Sequence, residues 1–329
     1  LDHVFANRTA SCLVNPRACA ETELNYFPAA APLRVAVVGA GPAGLACSTV
    51  AAQRGHAVTL FDAAADIGGQ FNLARRIPGK EEFDETLRYF RQRIVETGVD
   101  LRLSTPVTAD DLAGFDVVVL ATGVVPRAVD FPGHDHPKVV GYVDVIEGRV
   151  VPGKQVAIIG AGGIGFDVGE FLVEHPGASP SLDAAAWMRE WGVDPRFETP
   201  GGLVTPAPAP PARKLWLLQR SPGRPGARLG KTTGWIHRGT LKAKGVTMLG
   251  GVEYLGVDDA GLRIRVDGAE QLLPVDHVVV CAGQEPRRDL EADLRAAGRV
   301  VHLVGGADVA AELDAKRAIA QASRLAAKL

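Results

Sequence analysis

One pattern constrains this chain more than any other, and it occurs twice. Val35 to Leu45 reads VAVVGAGPAGL, and Gln155 to Phe166 reads QVAIIGAGGIGF. Each is an apolar run followed by glycines in GxGxxG spacing: Gly39, Gly41 and Gly44 in the first, Gly160, Gly162 and Gly165 in the second. A buried parallel strand explains the apolar run, and a strand-to-helix turn explains the glycines. The first glycine makes the tight turn, the second lets backbone N–H groups approach a pyrophosphate, and the third lets the helix pack closely on the strand. Phosphate then sits on the positive end of the helix. The echo continues, since Asp116 to Gly123, DVVVLATG, is matched by Asp276 to Gly283, DHVVVCAG. Two nucleotides are therefore expected, with Thr122 and Gly123 near the first.

The expected fold is α/β, with two Rossmann-like dinucleotide-binding domains and the second inserted in the first. The boundaries expected are a leading segment over 1–31, a first domain over 32–131 and 284–329, and a second over 132–283. At 329 residues the chain is long enough for two such cores. With 47% hydrophobic residues, 22% charged and a formal net charge of -2, it reads as a soluble globular protein without the basic surplus that nucleic acid requires. No apolar run approaches the roughly 20 residues that span a bilayer, and the cytoplasm is the expected compartment. The chain starts at Leu1 rather than Met, so it is expected to be a piece of something longer.

The two copies differ where the nucleotide's ribose is held. Asp62 closes the first copy's second apolar run, AVTLFD, at the offset of a carboxylate that binds ribose hydroxyls. In the second copy that offset falls in PGASPSLD, which is no strand. From Gly39 to Gly123 is 84 residues and from Gly160 to Gly283 is 123, so an insertion of about 39 is implied, over 175–213. The strand then resumes as KLWLLQ, and Gln219 or Arg220 takes the ribose position. No Asp or Glu occurs between Glu198 and Glu253, whereas Arg213, Lys214, Arg220, Arg224, Arg228, Lys231, Arg238, Lys242 and Lys244 all do. An arginine here suits a 2′-phosphate, so NADPH is expected rather than NADH. Lys242 and Lys244 read as solvated charges.

Other stretches read more simply. In DIGGQF, Gly68 and Gly69 suggest backbone lying against a ligand, with Gln70 facing it. Residues 81–97 form an amphipathic helix through Phe83, Leu87, Phe90 and Ile94. The C-terminal VHLVGGADVAAELDAKRAIAQASRLAAKL reads as a strand, a turn and a long helix, with Asp308 either the helix cap or a cofactor ligand. Residues 1–31 carry too few apolar side chains to fold alone. Cys12, Cys19, Cys47 and Cys281 show neither CxxC nor CxxxxC spacing, which argues against a zinc site and against a thiol-disulfide reductase, and Cys47 and Cys281 read as small core residues.

These signals resemble the two-dinucleotide-binding flavoprotein reductases. SCLVNPRAC at 11–19, GGQFNLARRIPGKEEF at 68–83, IIGAGGIGFDV at 158–168, GKTTGWIHR at 230–238, VVVCAGQEP at 278–286 and ELDAKRAIAQ at 312–321 narrow the likeness further. It is similar to the C-terminal half of bacterial NADPH-dependent 2,4-dienoyl-CoA reductases, within the old-yellow-enzyme and trimethylamine dehydrogenase-like group. The resemblance implies FAD in the first glycine loop and NADPH in the second. It further implies a four-iron cluster and an N-terminal FMN barrel, absent from this sequence, that reduces the dienoyl thioester in unsaturated fatty acid β-oxidation. By the same resemblance Gly39, Gly41, Ala43 and Gly44 meet the FAD pyrophosphate and Asp62 its ribose. Gly69, Gln70 and Lys80 meet the cofactor's middle, Val107 the adenine side, and Gly306 and Asp308 the ribityl end. For NADPH it implies Gly160, Gly162, Gly163 and Ile164 at the phosphates, Arg220, Ser221 and Arg224 at the 2′-phosphate, and Asp314 and Ala315 near the nicotinamide. Cys12 would be one of four cluster ligands, the other three preceding it in the family, so this sequence alone is not expected to hold the cluster. No side-chain acid is expected, because hydride transfer between stacked rings needs none. The competing reading is a non-redox module of the amine dehydrogenase type, holding ADP in the first loop.

Overall fold

The computed structural model describes residues 2–310 and 314–329, so Glu312 and Leu313 of the ELDAKRAIAQ stretch lie outside the described residues. In chain order the strands are β1 Arg34–Val38, β2 Ala57–Phe61, β3 Asp100–Arg102, β4 Val117–Leu120, β5 Val124–Pro126, β6 Val139–Gly141, β7 Gln155–Ile159, β8 Lys214–Leu218, β9 Thr247–Leu249, β10 Glu253–Asp258, β11 Gly261–Val266, β12 Ala269–Leu273, β13 His277–Val280, β14 Gln284–Pro286 and β15 Val301–Leu303. The chain divides into two compact units. One comprises Leu1–Asn72, Glu82–Val125 and Gln284–Leu329, the other Leu73–Glu81 and Pro126–Gly283.

The first unit is built on a five-stranded sheet in the order β15-β4-β1-β2-β3, with every pairing parallel. Its strands are apolar on both faces because both are covered. Val35, Val37, Val58, Leu60, Val117 and Val119 point into one core, against the helices Pro42–Gln53, Phe83–Thr97 and Ala315–Ala326. Ala36, Val38, Phe61, Val118 and Leu120 point the other way, onto Leu112 and Leu294. The amphipathic reading of Phe83–Thr97 holds, since Leu87, Phe90 and Ile94 are buried and Phe83 stacks on Phe71 at 4.7 Å. Its arginines make surface pairs, Arg88 with Glu85, Arg91 with Asp66 and Arg93 with Glu96. The leading segment leans on this unit. Leu13 and Tyr26 pack on its core, and Arg54 donates to the Phe27 carbonyl at 2.9 Å.

The second unit repeats the design, in the order β6-β13-β7-β8-β9 and again parallel throughout. One face, with Val156, Ile158, Leu215, Leu217 and Val279, meets the helices Tyr142–Glu147, Gly163–Val173 and Gly234–Ala243. The other face, with Ala157, Ile159, Trp216, Leu218 and Val278, is covered by an antiparallel meander, β10-β11-β12.

Three sequence expectations need correction here. Leu73–Glu81 belongs with the second unit, because Ile77 is buried in its core, Arg76 donates to the Ile146 carbonyl at 3.0 Å, and Lys80 pairs with Asp167 at 2.6 Å. The first boundary falls at Val125 instead of 131. Lys244 is not solvated. Its side chain is fully buried, with the ammonium 2.7 Å from Glu174 and 3.2 Å from Glu190, in contacts too oblique to count as directed hydrogen bonds. Glu190 lies on the helix Ala184–Trp191 of the inserted stretch, which Asp183 caps by accepting from the Ala185 and Ala186 N–H groups. The insertion is thus tied to the domain by charge.

Removing the cation of this triad leaves two largely buried carboxylates facing each other. Lys244→Ala should therefore lower the unfolding free energy in urea by about 3 kcal/mol or more. A loss within about 0.5 kcal/mol, as surface substitutions give, would mean that these charges are hydrated.

Candidate functional site

Both glycine turns lie at the carboxyl ends of parallel strands, where neighbours on either side of β1 and of β7 lead the chain in opposite directions. Such a switch point is where open α/β sheets bind ligands. In the first unit the Gly39 N–H donates to Phe61 O at the end of β2, and Ala121, after β4, donates to Val38 O. Gly39 has φ +106°, and a Cβ there would stand 2.4 Å from Ala121 O, while one on Gly44 would stand 1.8 Å from Gly39 O. No side chain fits at either position. Gly41 caps the helix Pro42–Gln53 with extended backbone and no side-chain hydrogen bond, so the first N–H groups of this helix have no side-chain acceptor from the cap.

Asp62 follows β2 and points back at the turn, accepting from the Ala40 N–H at 2.6 Å with Oδ2 and from the Ala64 N–H at 2.8 Å with Oδ1. Gly68 donates to Ala40 O at 2.8 Å, and a Cβ on Gly69 would stand 3.1 Å from Gly41 Cα, so the DIGGQF backbone does lie against the glycine loop, with Gln70 half-buried beside it. From the far end of the chain comes the turn Gly305–Ala307. A Cβ on Gly305 would stand 2.9 Å from the Ala43 side chain, and one on Gly306 would stand 3.1 Å from Gly123. The Thr122 hydroxyl donates to the Arg287 carbonyl. Five stretches of sequence therefore meet at one crevice.

Gln321 completes the frame. It accepts from the Gly305 N–H at 2.8 Å and donates to Asp308 Oδ2 at 2.7 Å. No sequence signal marked it, because its partners lie 13 and 16 positions away, across residues with no regular period. Asp308 is accordingly not the cap of the terminal helix. Asp314 is, accepting from the Lys316 N–H at 2.8 Å, and Asp314 and Ala315 both belong to the first unit. Val107 packs half-buried against the core of Phe61 and Leu112. Lys80 belongs to the second unit, where both oxygens of Asp167 hold its ammonium at 2.6 Å.

The second turn has the same construction. Gly160 donates to Leu218 O, Cys281 donates to Ile159 O, and Gly160 has φ +109° with Cys281 O 2.4 Å from where a Cβ would stand. A Cβ on Gly165 would stand 1.7 Å from Gly160 O. Gly162 caps the helix Gly163–Val173 without a side-chain bond, and a Cβ on Gly162 or Gly163 would meet nothing within 4 Å. That open floor suits a phosphate. Ile164 is half-buried against the domain core.

The register decides which residue replaces the acid. Val38 pairs with Phe61 and Ile159 with Leu218, so Gln219 stands where Asp62 stands. Its amide folds back onto the Ser221 carbonyl at 3.0 Å, leaving Arg220 and Arg224 as exposed side chains with no hydrogen bond or ion pair among the described residues. The sites therefore differ in sign, one presenting a carboxylate and the other guanidinium groups.

Beneath the second turn, the helix Gly163–Val173 carries two acids, each met by a basic side chain. Asp167 has Lys80, and Glu170 accepts from His237 Nδ1 at 2.8 Å. The hydrogen bond to Glu170 raises the His237 pKa, with Asp167 assisting, against burial and the charge of Lys80. The four cysteines are free. Burial pushes the Cys47 thiol up to about 12 and raises Cys281 as well, so both are protonated core residues at neutral pH. Among the described residues, no group of three or more His, Cys, Asp or Glu could hold a metal ion, and no helix is long and apolar enough to cross a membrane.

Residues 33–302 match the family model for pyridine nucleotide-disulphide oxidoreductases. The chain belongs to that family. It is 30% identical over 315 residues to a metal reductase of Desulforamulus reducens, covering 93% of this chain and 46% of that protein. It is 26% identical over 303 residues to a cinnamate reductase of Clostridium sporogenes, covering 91% and 40%. Among solved structures, a 2-naphthoyl-CoA reductase in complex with 2-naphthoyl-CoA superposes with a TM-score of 0.83 at 26% identity, over 99% of this chain and 44% of that one. The chain thus spans about half the length of the relatives it matches. The family is one of oxidoreductases, with flavin and pyridine nucleotide as its cofactor classes, and both cradles have the form that receives such dinucleotides.

The His237 pair gives a pH signature. A raised pKa means that folding favours the imidazolium, so this contribution is complete below the ordinary histidine value of about 6.5 and is lost as pH rises through the raised value. The melting-temperature gap between wild type and His237→Gln should be widest at acidic pH and narrow on going alkaline. A gap that does not change with pH would contradict the pairing.

Proposed function

We propose that this chain is the electron-entry module of an NADPH-dependent reductase of the 2,4-dienoyl-CoA reductase type, with FAD in the first cradle and NADPH in the second. The observation that carries this reading is the change from Asp62 to Gln219 and Arg220 between two otherwise matching turns. A carboxylate suits an unphosphorylated ribose and would repel a 2′-phosphate, for which Arg220, Ser221 and Arg224 offer a fork of donors. The names of the relatives, reductases of cinnamate and of 2-naphthoyl-CoA, support conjugated acids and their CoA thioesters as the substrate class.

When both nucleotides are bound, the chemistry they supply is movement of a hydride equivalent and its release as single electrons. What the chain contributes is placement. The uncapped helix ends at Gly41 and Gly162 receive pyrophosphate, Asp62 orients the first ribose, Asp308 with Gln321 fixes the turn beside Ala43, and Thr122 ties the Ala-Thr-Gly turn to residue 287. No side chain is assigned a proton in hydride transfer.

Cys12 is exposed and free, and one thiolate does not hold an iron–sulfur cluster, so the residues of this chain do not fit that group. The FMN barrel that would reduce the thioester is assigned to the portion of the relatives that this chain does not match, and the assembly is placed in the cytoplasm.

Anaerobic addition of NADPH to the FAD-loaded protein should bleach the flavin absorbance at near one equivalent, whereas a flavin band that persists with both NADPH and NADH would overturn the electron-entry role. Arg220→Glu should raise the KM for NADPH by about tenfold or more through loss of a charge-assisted contact, with little change for NADH. Equal effects on the two would displace the 2′-phosphate from this strand end. A Cβ on Gly41 would meet only Gly69 Cα, at 4.0 Å. Gly41→Ala should consequently fold with an unchanged melting temperature in the absence of flavin yet retain less FAD, and full FAD retention would remove the pyrophosphate from this loop.

A further inference from the structure

We infer that Tyr254 selects the 2′-phosphorylated nucleotide together with Arg220, its phenol hydroxyl donating to the phosphate that the Arg220 guanidinium holds. This inference rests on the assignment of NADPH to the second cradle and names the residue that completes it.

The backbone brings Tyr254 to this place. After β9 the chain turns back across the exit of β8. Gly251 donates to Ser221 O at 2.9 Å, Val252 donates to Gln219 O at 3.0 Å, and a Cβ on Gly250 would stand 2.0 Å from Gly223 O. The turn that presents Arg220 and Ser221 is therefore braced from beneath by residues 250–252, and Tyr254 follows as the second residue of β10. Its ring packs in the core with Phe131, centroids 6.0 Å apart, and its hydroxyl is buried without a hydrogen-bond partner. Burial raises its pKa, and the positive charge of Arg220 acts in the opposite direction.

An orphan buried hydroxyl costs about 1–3 kcal/mol, a cost that phenylalanine in the same apolar setting would not carry. Arg220 cannot relieve it, because a guanidinium offers no acceptor. Neither can the adjacent Glu253, whose carboxylate is held by Arg265 at 2.6 Å. What satisfies a phenol O–H and an unpaired guanidinium together is an anion with several acceptor oxygens, and a phosphate monoester is one. A bare 2′-hydroxyl would relieve the phenol but leave the guanidinium without a counter-charge.

The test is calorimetric titration of the whole chain with adenosine 2′,5′-bisphosphate and with 5′-AMP, for wild type and Tyr254→Phe. Wild type should prefer the bisphosphate. Tyr254→Phe, which keeps the ring against Phe131, should weaken the bisphosphate by about tenfold, leave 5′-AMP within about twofold, and melt no lower than wild type without ligand. If wild type prefers the bisphosphate and Tyr254→Phe binds both ligands as wild type does, or loses affinity for both equally, the role of Tyr254 is wrong and the NADPH assignment stands. If wild type does not distinguish the two ligands, the NADPH assignment itself fails and this inference with it.

Discussion

A carbonyl oxygen occupying the space of a missing Cβ is the constraint on which the rest depends. In each unit the turn after the central strand bends so tightly that the third glycine's Cα lies over the first glycine's carbonyl, with 1.8 Å and 1.7 Å left where a side-chain carbon would stand. Only glycine permits that approach. Because it is permitted, the helix starts directly above the strand end, and its first N–H groups aim into the crevice where neighbouring strands part. Position, polarity and openness of the phosphate cradle all follow from that one contact.

Given two such cradles, the proposed division of labour rests on one strand-end residue and its neighbour. Asp62 accepts from Ala40 and so holds its carboxylate against the glycine loop. Gln219 has no charge and turns away, and Arg220 and Arg224, which follow it, have no ion pair among the described residues. On the proposed reading, the same scaffold would accept an unphosphorylated ribose in one unit and a phosphorylated one in the other. This difference costs the fold nothing, since both residues lie beyond the last paired position of their strands.

Much of this was legible in the sequence because its cause is local. Strand, turn and helix in Val35–Gln53 and Gln155–Val173 are specified by neighbouring residues, and the insertion from His175 to Arg213 was visible as a mismatch between two copies of one spacing. What escaped depended on long-range contacts. Lys244 looks like any helix-end lysine until Glu174 and Glu190 close over it. Lys80 follows the first glycine loop in sequence, but Ile77 draws its segment into the other core. Gln321 and Tyr254 carry no motif at all. The meander β10-β11-β12 could have been read from Asp-Asp-Ala-Gly and Asp-Gly turns between alternating apolar residues, a hairpin signal of ordinary strength.

The central claim is that one chain holds two different dinucleotides at once, and stoichiometry tests it most directly. The FAD-loaded protein should release one FAD per chain on acid extraction, and before extraction it should bind one further equivalent of NADP+ in equilibrium dialysis without losing flavin. Release of ADP alone, or displacement of the flavin as NADP+ binds, would contradict the account.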